Sequence, residues 1–360
     1  MTILFENLRG QSYDNGANMK GKNVGVQRGI LDLNPRAFFL PCSSHSLNLV
    51  VNDAATSSTE AVVFFGLLQK LYTFFAASTR RWDTRKKHIS ALTLKPRSTT
   101  RWESRLDGLR PLRYNIGDVY DALITVADDT TFDKMTRHEA ESLASKSAEF
   151  KFLCCLVTWH HILTQINVAS KMLQNIQIDI ATAVSVLEDT MQNLKNCRTD
   201  EFFENILTDA RELATILEVD PIITPHFSTG RVRPRKRQLE YEAKDEPILN
   251  PKTEFKTNFF FRTFDVAINS VEERFVQIKD HSLHFSFLYN IAKLKDVEAD
   301  ELVLKYKNLG NVLTHENNKD IDALELADEL KQKVKEDNSP IEVLKFILQN
   351  CYFIFVRTNI

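Results

Sequence analysis

Four places in this sequence combine residue types and spacings that could do chemistry. Asp14 lies in Tyr13-Asp-Asn-Gly16, a turn sequence ahead of a helix, where a carboxylate caps free backbone N–H groups. Cys42 and His45 have the C-x-x-H spacing of a zinc ligand pair, but a structural zinc site takes four ligands and no second pair lies near in sequence. Cys154-Cys155 with His160-His161 has a spacing unlike common zinc fingers, and on a helix most of those side chains diverge. Trp102 stands beside Arg101, with Arg105 three residues on, in Thr100-Arg-Trp-Glu-Ser-Arg105. An indole there can stack an unpaired base while the guanidinium groups hold phosphates; the other reading is a core tryptophan beside a solvated arginine face. The run Arg231-Val-Arg-Pro-Arg-Lys-Arg237 carries its positive charge on Arg231, Arg233, Arg235, Lys236 and Arg237. It suits a phosphate-contacting loop or nuclear-import signal, and equally a solvated, extended linker.

The elements that must position these groups are mostly helical. Glycines 10, 16, 21, 25 and 29 crowd the first thirty residues, so turns and close backbone approaches belong there. Strand pattern is confined to residues 3–13 and 37–42, and a helix over about 46–52 follows the Cys-x-x-His. From about residue 55 apolar residues recur at helical steps, as in Val62, Phe65, Leu68 and Tyr72, or Leu109, Leu112, Ile116 and Val119. The pattern predicts one long helix over about 148–197, with Leu156, Trp159, Leu163, Ile166 and then Leu173, Ile176, Ile180, Val184 and Leu187 on its broad apolar face. Five of the ten prolines fall between Pro221 and Pro251, marking a loop or linker at about 221–253. Helical periodicity returns over 255–275. Ser339-Pro-Ile-Glu342 is a capping box that opens a helix to about residue 349.

Composition bounds the function. The 360 residues are 43% hydrophobic and 26% charged with a formal net charge of −2, which excludes wholesale disorder and any global basic field. Nucleic-acid contact would come from a local patch. Cys42, Cys154, Cys155, Cys197 and Cys351 are an odd, scattered set and are expected as reduced thiols in a soluble intracellular protein, with no secretory segment. The longest stretch free of Asp, Glu, Lys and Arg, Phe152 to Ser170, contains two histidines, two threonines, Gln and Asn; it is expected as a buried helix, not a membrane span.

Arg9-Gly-Gln-Ser-Tyr-Asp-Asn-Gly-Ala-Asn-Met-Lys-Gly21, Pro41-Cys-Ser-Ser-His-Ser-Leu-Asn-Leu-Val50 and Thr100-Arg-Trp-Glu-Ser-Arg105, with Ser170-Lys-Met-Leu-Gln174 and Asp179-Ile180 downstream, together resemble the transposase domain of the hAT superfamily. The zinc-finger MYM-type protein 1-like members are the most similar branch. The resemblance implies a mostly α fold with a small α/β part: an incomplete RNase H-like core interrupted by a large all-helical insertion. Its segments would be 1–55 for the partial core, 56–335 for the insertion and 336–360 for a truncated return to the core. It also implies that Asp14 is the second of three metal-binding carboxylates, with His45 a supporting member of that neighbourhood, and that Arg101, Trp102, Arg105 and the 231–237 run face nucleic acid. The local order Tyr-Asp-Asn-Gly-Ala-Asn departs from the family's Tyr-Asp-Gly-Ala-Ser-Asn. The first carboxylate would lie upstream of the thirteen residues before Asp14, and where the third, a Glu-Arg segment, is expected the chain reads Cys351-Tyr-Phe-Ile-Phe-Val356. The expectation is therefore a fragment that is not an enzyme and holds no cofactor, Mg²⁺ belonging to intact members. Its partners would be DNA, bound weakly and without sequence preference, or protein, including itself, with no membrane contact. Its compartment would be the nucleus by resemblance and otherwise the cytoplasm. The alternative is a host-adopted nuclear interaction module built on the helical insertion.

Overall fold

The computed structural model describes Phe5 and residues 8–14, 16–21, 24–89, 103–175, 178–224, 250–288, 297–315 and 318–319, with single positions at 326, 342 and 345. It is mostly helical with a small parallel strand pair. The chain divides into two compact units, one of residues 1–47, 169–189 and 271–360, the other of 48–168 and 190–270.

In the first unit, β1 (Gly10–Gln11) pairs in parallel with β2 (Phe38–Phe39), Gly10 opposite Phe38 and Gln11 opposite Phe39. Parallel strands need a crossover, supplied here by α1 (Ala17–Lys20) and α2 (Val26–Leu33). Buried Asn34 ties the turn after α2 to the approach to β1, its amide donating to the carbonyls of Phe5 (2.8 Å) and Leu8 (2.7 Å). α3 (Ser43–Ala55) follows β2, longer at both ends than the expected 46–52. The unit also contains α14 (Val276–Phe285) and α15 (Ala299–Val312). An antiparallel ladder of β3 (Thr314–His315) and β4 (Asn318–Lys319) was not foreseen by the sequence pattern.

The second unit is helical: α4 (Thr59–Ala76), α5 (Thr79–His88), α6 (Glu103–Tyr114), α7 (Ile116–Asp128), α8 (Lys134–Ser147), α9 (Phe150–Leu173, through residue 168), α10 (Ile180–Cys197, from residue 190), α11 (Asp200–Ile216), α12 (Pro251–Phe255) and α13 (Arg262–Arg274, through residue 270). Polar caps open them. Ser58, Asp133 and Thr199 accept from Ala61, Thr136 and Phe202 N–H, and Asn250 does so ahead of Pro251 at the first helical position. Between α12 and α13 the backbone makes a π turn over Lys256–Phe261. Phe64, Phe65, Phe152 and Trp159 meet edge-on or tilted in one part of the core; Phe203, Phe255, Phe259, Phe260 and Phe264 cluster in another, with Phe255 stacked on Phe259.

The long helix expected over 148–197 is two helices, α9 and α10. α9 ends by Asn175, and the Asp179 carboxylate then accepts from the Thr182 N–H (2.8 Å) and hydroxyl (2.7 Å) to open α10. Of the apolar face read for this stretch, Leu156, Trp159, Leu163, Ile166 and Leu187 are buried, whereas Leu173, Ile180 and Val184 are half-buried. Among the described residues α9 is long and apolar enough to cross a membrane, but 72% of its most apolar window is buried within the chain, the environment of a central core helix. The capping box at 339–342 and the run 351–356 lie outside the described residues, apart from Glu342.

Candidate functional site

The parallel pair sets the geometry around Asp14. Its ladder continues past the strands: the N–H groups of Phe38, Leu40 and Cys42 donate to the carbonyls of Arg9, Gln11 and Tyr13 at 3.0–3.2 Å. Cys42 is thus backbone-paired with the residue before Asp14, at the carboxyl ends of both strands. In open α/β sheets this edge is where ligands bind. Buried Gln11 fixes the arrangement from below. Its amide donates to the Ala37 carbonyl (2.9 Å) and its carbonyl accepts the Tyr13 hydroxyl (2.5 Å), while the Tyr13 ring lies on Phe39, 5.0 Å between centroids.

Asp14 is exposed and its Oδ1 accepts the Gly16 N–H at 3.0 Å, the turn geometry that the Asp-Asn-Gly sequence predicts. His45 is half-buried in the first turn of α3, and Cys42 is a half-buried free thiol whose carbonyl accepts the Ser46 N–H. Among the described residues no three His, Cys, Asp or Glu side chains are grouped to hold a metal ion. The side chains around Asp14 therefore do not form, among the described residues, the convergent carboxylates that two bridging Mg²⁺ ions need.

Arg105 is not on a solvated face. It is 2% exposed; its guanidinium lies over the Phe65 ring, 5.0 Å to the centroid, and donates to the Asn52 side-chain carbonyl, with the Val51 carbonyl 3.5 Å away. Arg101, Trp102 and the run Arg231, Arg233, Arg235, Lys236 and Arg237 lie outside the described residues.

A second polar group surrounds His160, which the sequence reading had weighed for zinc. Its Nε2 shares a hydrogen bond with the Tyr114 hydroxyl (3.3 Å), and Arg113 pairs with Asp209 nearby (3.3 Å). Burial, then the charge of Arg113, lowers the His160 pKa from 6.5 to about 4, and burial lowers that of His161. Both imidazoles are neutral at physiological pH. Burial raises the thiols of Cys154 and Cys155, making them inert protonated groups.

A cleft of about 960 Å³ between α4, α8 and the start of α9 was missed by the sequence reading. Its trace in the sequence is Val63 and Gly66 on α4, an apolar and a small residue that the core does not use. These features define a helical protein with a short parallel α/β element. No protein-family model matches the chain, and no solved structure matches it.

Proposed function

We propose that the chain is a hAT-type transposase-derived protein that has lost strand-cleaving activity and keeps a binding role. The observation that carries this reading is the pairing of the Tyr13-Asp14 segment with the Cys42–His45 segment at the carboxyl ends of two parallel strands. The order strand, acidic turn, crossover, strand, Cys-x-x-His and helix is what the resemblance calls for, with an RNase H-like core as its finer form. In this reading Asp14 is a remnant ligand whose carboxylate now closes a turn, and His45 orients the neighbouring loop. Among the described residues no group of three His, Cys, Asp or Glu side chains includes Asp14, and one carboxylate does not hold two divalent ions; in this reading the described chain acts by binding. Its nucleic-acid contacts come from Arg101, Trp102 and the 231–237 run, and the nucleus is the compartment in which they serve.

The test is to incubate the full chain with supercoiled plasmid in Mg²⁺ or Mn²⁺. We expect no nicking above background and no difference between the wild type and Asp14→Ala, while DNA is still retarded at low salt. Metal-dependent nicking that Asp14→Ala abolishes would show a working enzyme. Absence of any DNA retardation would remove the transposase-derived reading and favour the protein-interaction module.

A further inference from the structure

We propose that Thr130 is a phosphorylation site for an acidic-directed serine/threonine kinase, and that Arg80 holds the phosphate once it is attached. α7 and α8 are joined by the short loop 129–133. Within it the Phe132 N–H donates to the Asp129 carbonyl at 3.1 Å, which closes a turn and puts Thr130 at its corner. Thr130 is exposed, and its hydroxyl has no hydrogen-bond partner among the described residues. The other hydroxyl of the loop is committed: Thr131 Oγ1 donates to Asp129 and accepts from Arg80. Of the two, Thr130 is the one the fold leaves available.

The flanking charge selects the kinase. From Asp128 to Asp133 the chain reads Asp-Asp-Thr-Thr-Phe-Asp, three carboxylates with no lysine or arginine among them. Asp128 and Asp133 are exposed, and Asp133 stands three residues after the acceptor. A kinase reads its substrate over a few residues on either side of the acceptor, so a basic substrate groove complements this segment. The cations nearby do not reverse the sign. Arg80 is paired with Asp129 at 2.7 Å, Arg137 donates its Nε to the Ala127 carbonyl, and Lys134 lies beyond Asp133. The turn is closed by one backbone–backbone bond, so little is broken when the loop is drawn out into an active site.

The transfer joins Thr130 Oγ to the γ-phosphorus of ATP, breaks the bond from that phosphorus to the bridging oxygen of ADP, and passes the hydroxyl proton to the kinase's catalytic base. The product sets a phosphate of charge about −2 among three carboxylates. Arg80 offsets it. Its guanidinium already bonds Asp129 and Thr131, the residues on either side of Thr130, and lies over Phe132, 3.9 Å from the ring centroid. A phosphate offers that guanidinium a bidentate partner in place of a single carboxylate oxygen. Phosphorylation therefore tightens the tie between α5 and the α7–α8 loop. This inference stands apart from descent from a transposase.

In the test, the full chain is incubated with Mg²⁺-ATP and a purified kinase that selects a carboxylate three residues after its acceptor. A kinase that selects arginine before its acceptor is the control, and the phosphate is mapped by fragmentation mass spectrometry. We expect the acidic-directed kinase alone to modify Thr130. Thr130→Val should abolish this, Thr130→Ser should keep it, and Thr131→Val should leave it unchanged. Asp133→Asn keeps a helix cap and should slow the modification roughly tenfold. On phosphorylation the thermal midpoint of the wild type should hold or rise, whereas that of Arg80→Ala should fall. A full chain left unmodified overturns the site, and a peptide of residues 126–137 shows whether the sequence or the fold denies access. Phosphate on Thr131 in place of Thr130, or equal modification by the control kinase, overturns it as well. A midpoint that responds equally with and without Arg80 would remove the proposed phosphate contact.

Discussion

A guanidinium at 2% exposure must find its partners inside the chain, and Arg105 does so against Phe65 and Asn52. Removing one side of a buried, hydrogen-bonded charge site leaves an orphaned acceptor and a cavity. Arg105→Ala should therefore lower unfolding free energy by roughly 3 kcal/mol, measured by urea denaturation; a change within about 0.5 kcal/mol would return Arg105 to the surface. The motif Thr-Arg-Trp-Glu-Ser-Arg was legible in the sequence, but the direction of its last arginine was not, because Asn52 lies more than fifty positions away. Histidine supplies a pH signature at the same scale. The folded pKa of His160 is about 4, below its ordinary 6.5, through burial and then the charges of Arg113, His161 and Arg110. Between those values the unfolded chain binds the proton more readily, so the contribution of His160 to stability is complete above about pH 6.5 and falls as pH drops towards 4. His281 behaves likewise through burial and His284. Urea midpoints measured from pH 7.5 to 4 should decline through this window, and His160→Gln should shallow the slope. An unchanged slope would mean that His160 titrates in the folded state as a solvated histidine.

Helix ends carry the next prediction. α11 closes with Glu218 at φ 54°, the one non-glycine residue at positive φ among the described residues. Its N–H donates to the Thr215 carbonyl (3.2 Å) and that of Val219 to the Ala214 carbonyl (3.0 Å), the paired closure usually built on glycine. A side chain in this conformation is strained, so Glu218→Gly should stabilise the protein by about 1 kcal/mol. A fall in the thermal midpoint would mean that the Glu218 side chain makes a compensating contact. No glycine marks this helix end, so the sequence offered no sign of the closure. Existence and type of the major helices were legible from period. The periodic set Val62, Phe65, Leu68 and Tyr72 runs one edge off the buried side of α4: Phe65 and Leu68 are buried, but Val62 is 52% exposed, and the core side runs through Ala61, Phe64, Leu71 and Phe75. An apolar stripe that continues around a helix hides which edge faces inward. The end of α9 at Leu173 escaped for a similar reason, since apolar spacing continues past it and only the Asp179–Thr182 pair announces a new start. The π turn over Lys256–Phe261 adds a residue to one turn without disturbing composition, leaving no mark in a run of phenylalanines.

At the scale of the whole molecule, two units assembled from interleaved segments leave no composition boundary to read, and the expected core, insertion and return rest on resemblance alone. Charge is more informative. The chain is formally −2 overall, and much of the cationic charge of the described helices is committed within the fold. Arg80 pairs with Asp129 and lies over Phe132, Arg81 lies over Phe74, Arg85 over Trp82, and Arg198 pairs with Asp265. In the proposed reading, phosphate contact then falls chiefly to the run Arg231, Arg233, Arg235, Lys236 and Arg237. If about four phosphates are contacted, counterion release predicts a loss of roughly two orders of magnitude in affinity between about 50 and 200 mM salt, without sequence preference. Replacing all five cations of the run by glutamine should abolish most of the binding and flatten the salt dependence, leaving thermal stability unchanged. Anisotropy titrations with two unrelated duplexes across that range of salt decide it. Binding that survives the replacement, or that distinguishes the duplexes at high salt, would place the contact surface elsewhere on the molecule and require side chains that read base edges.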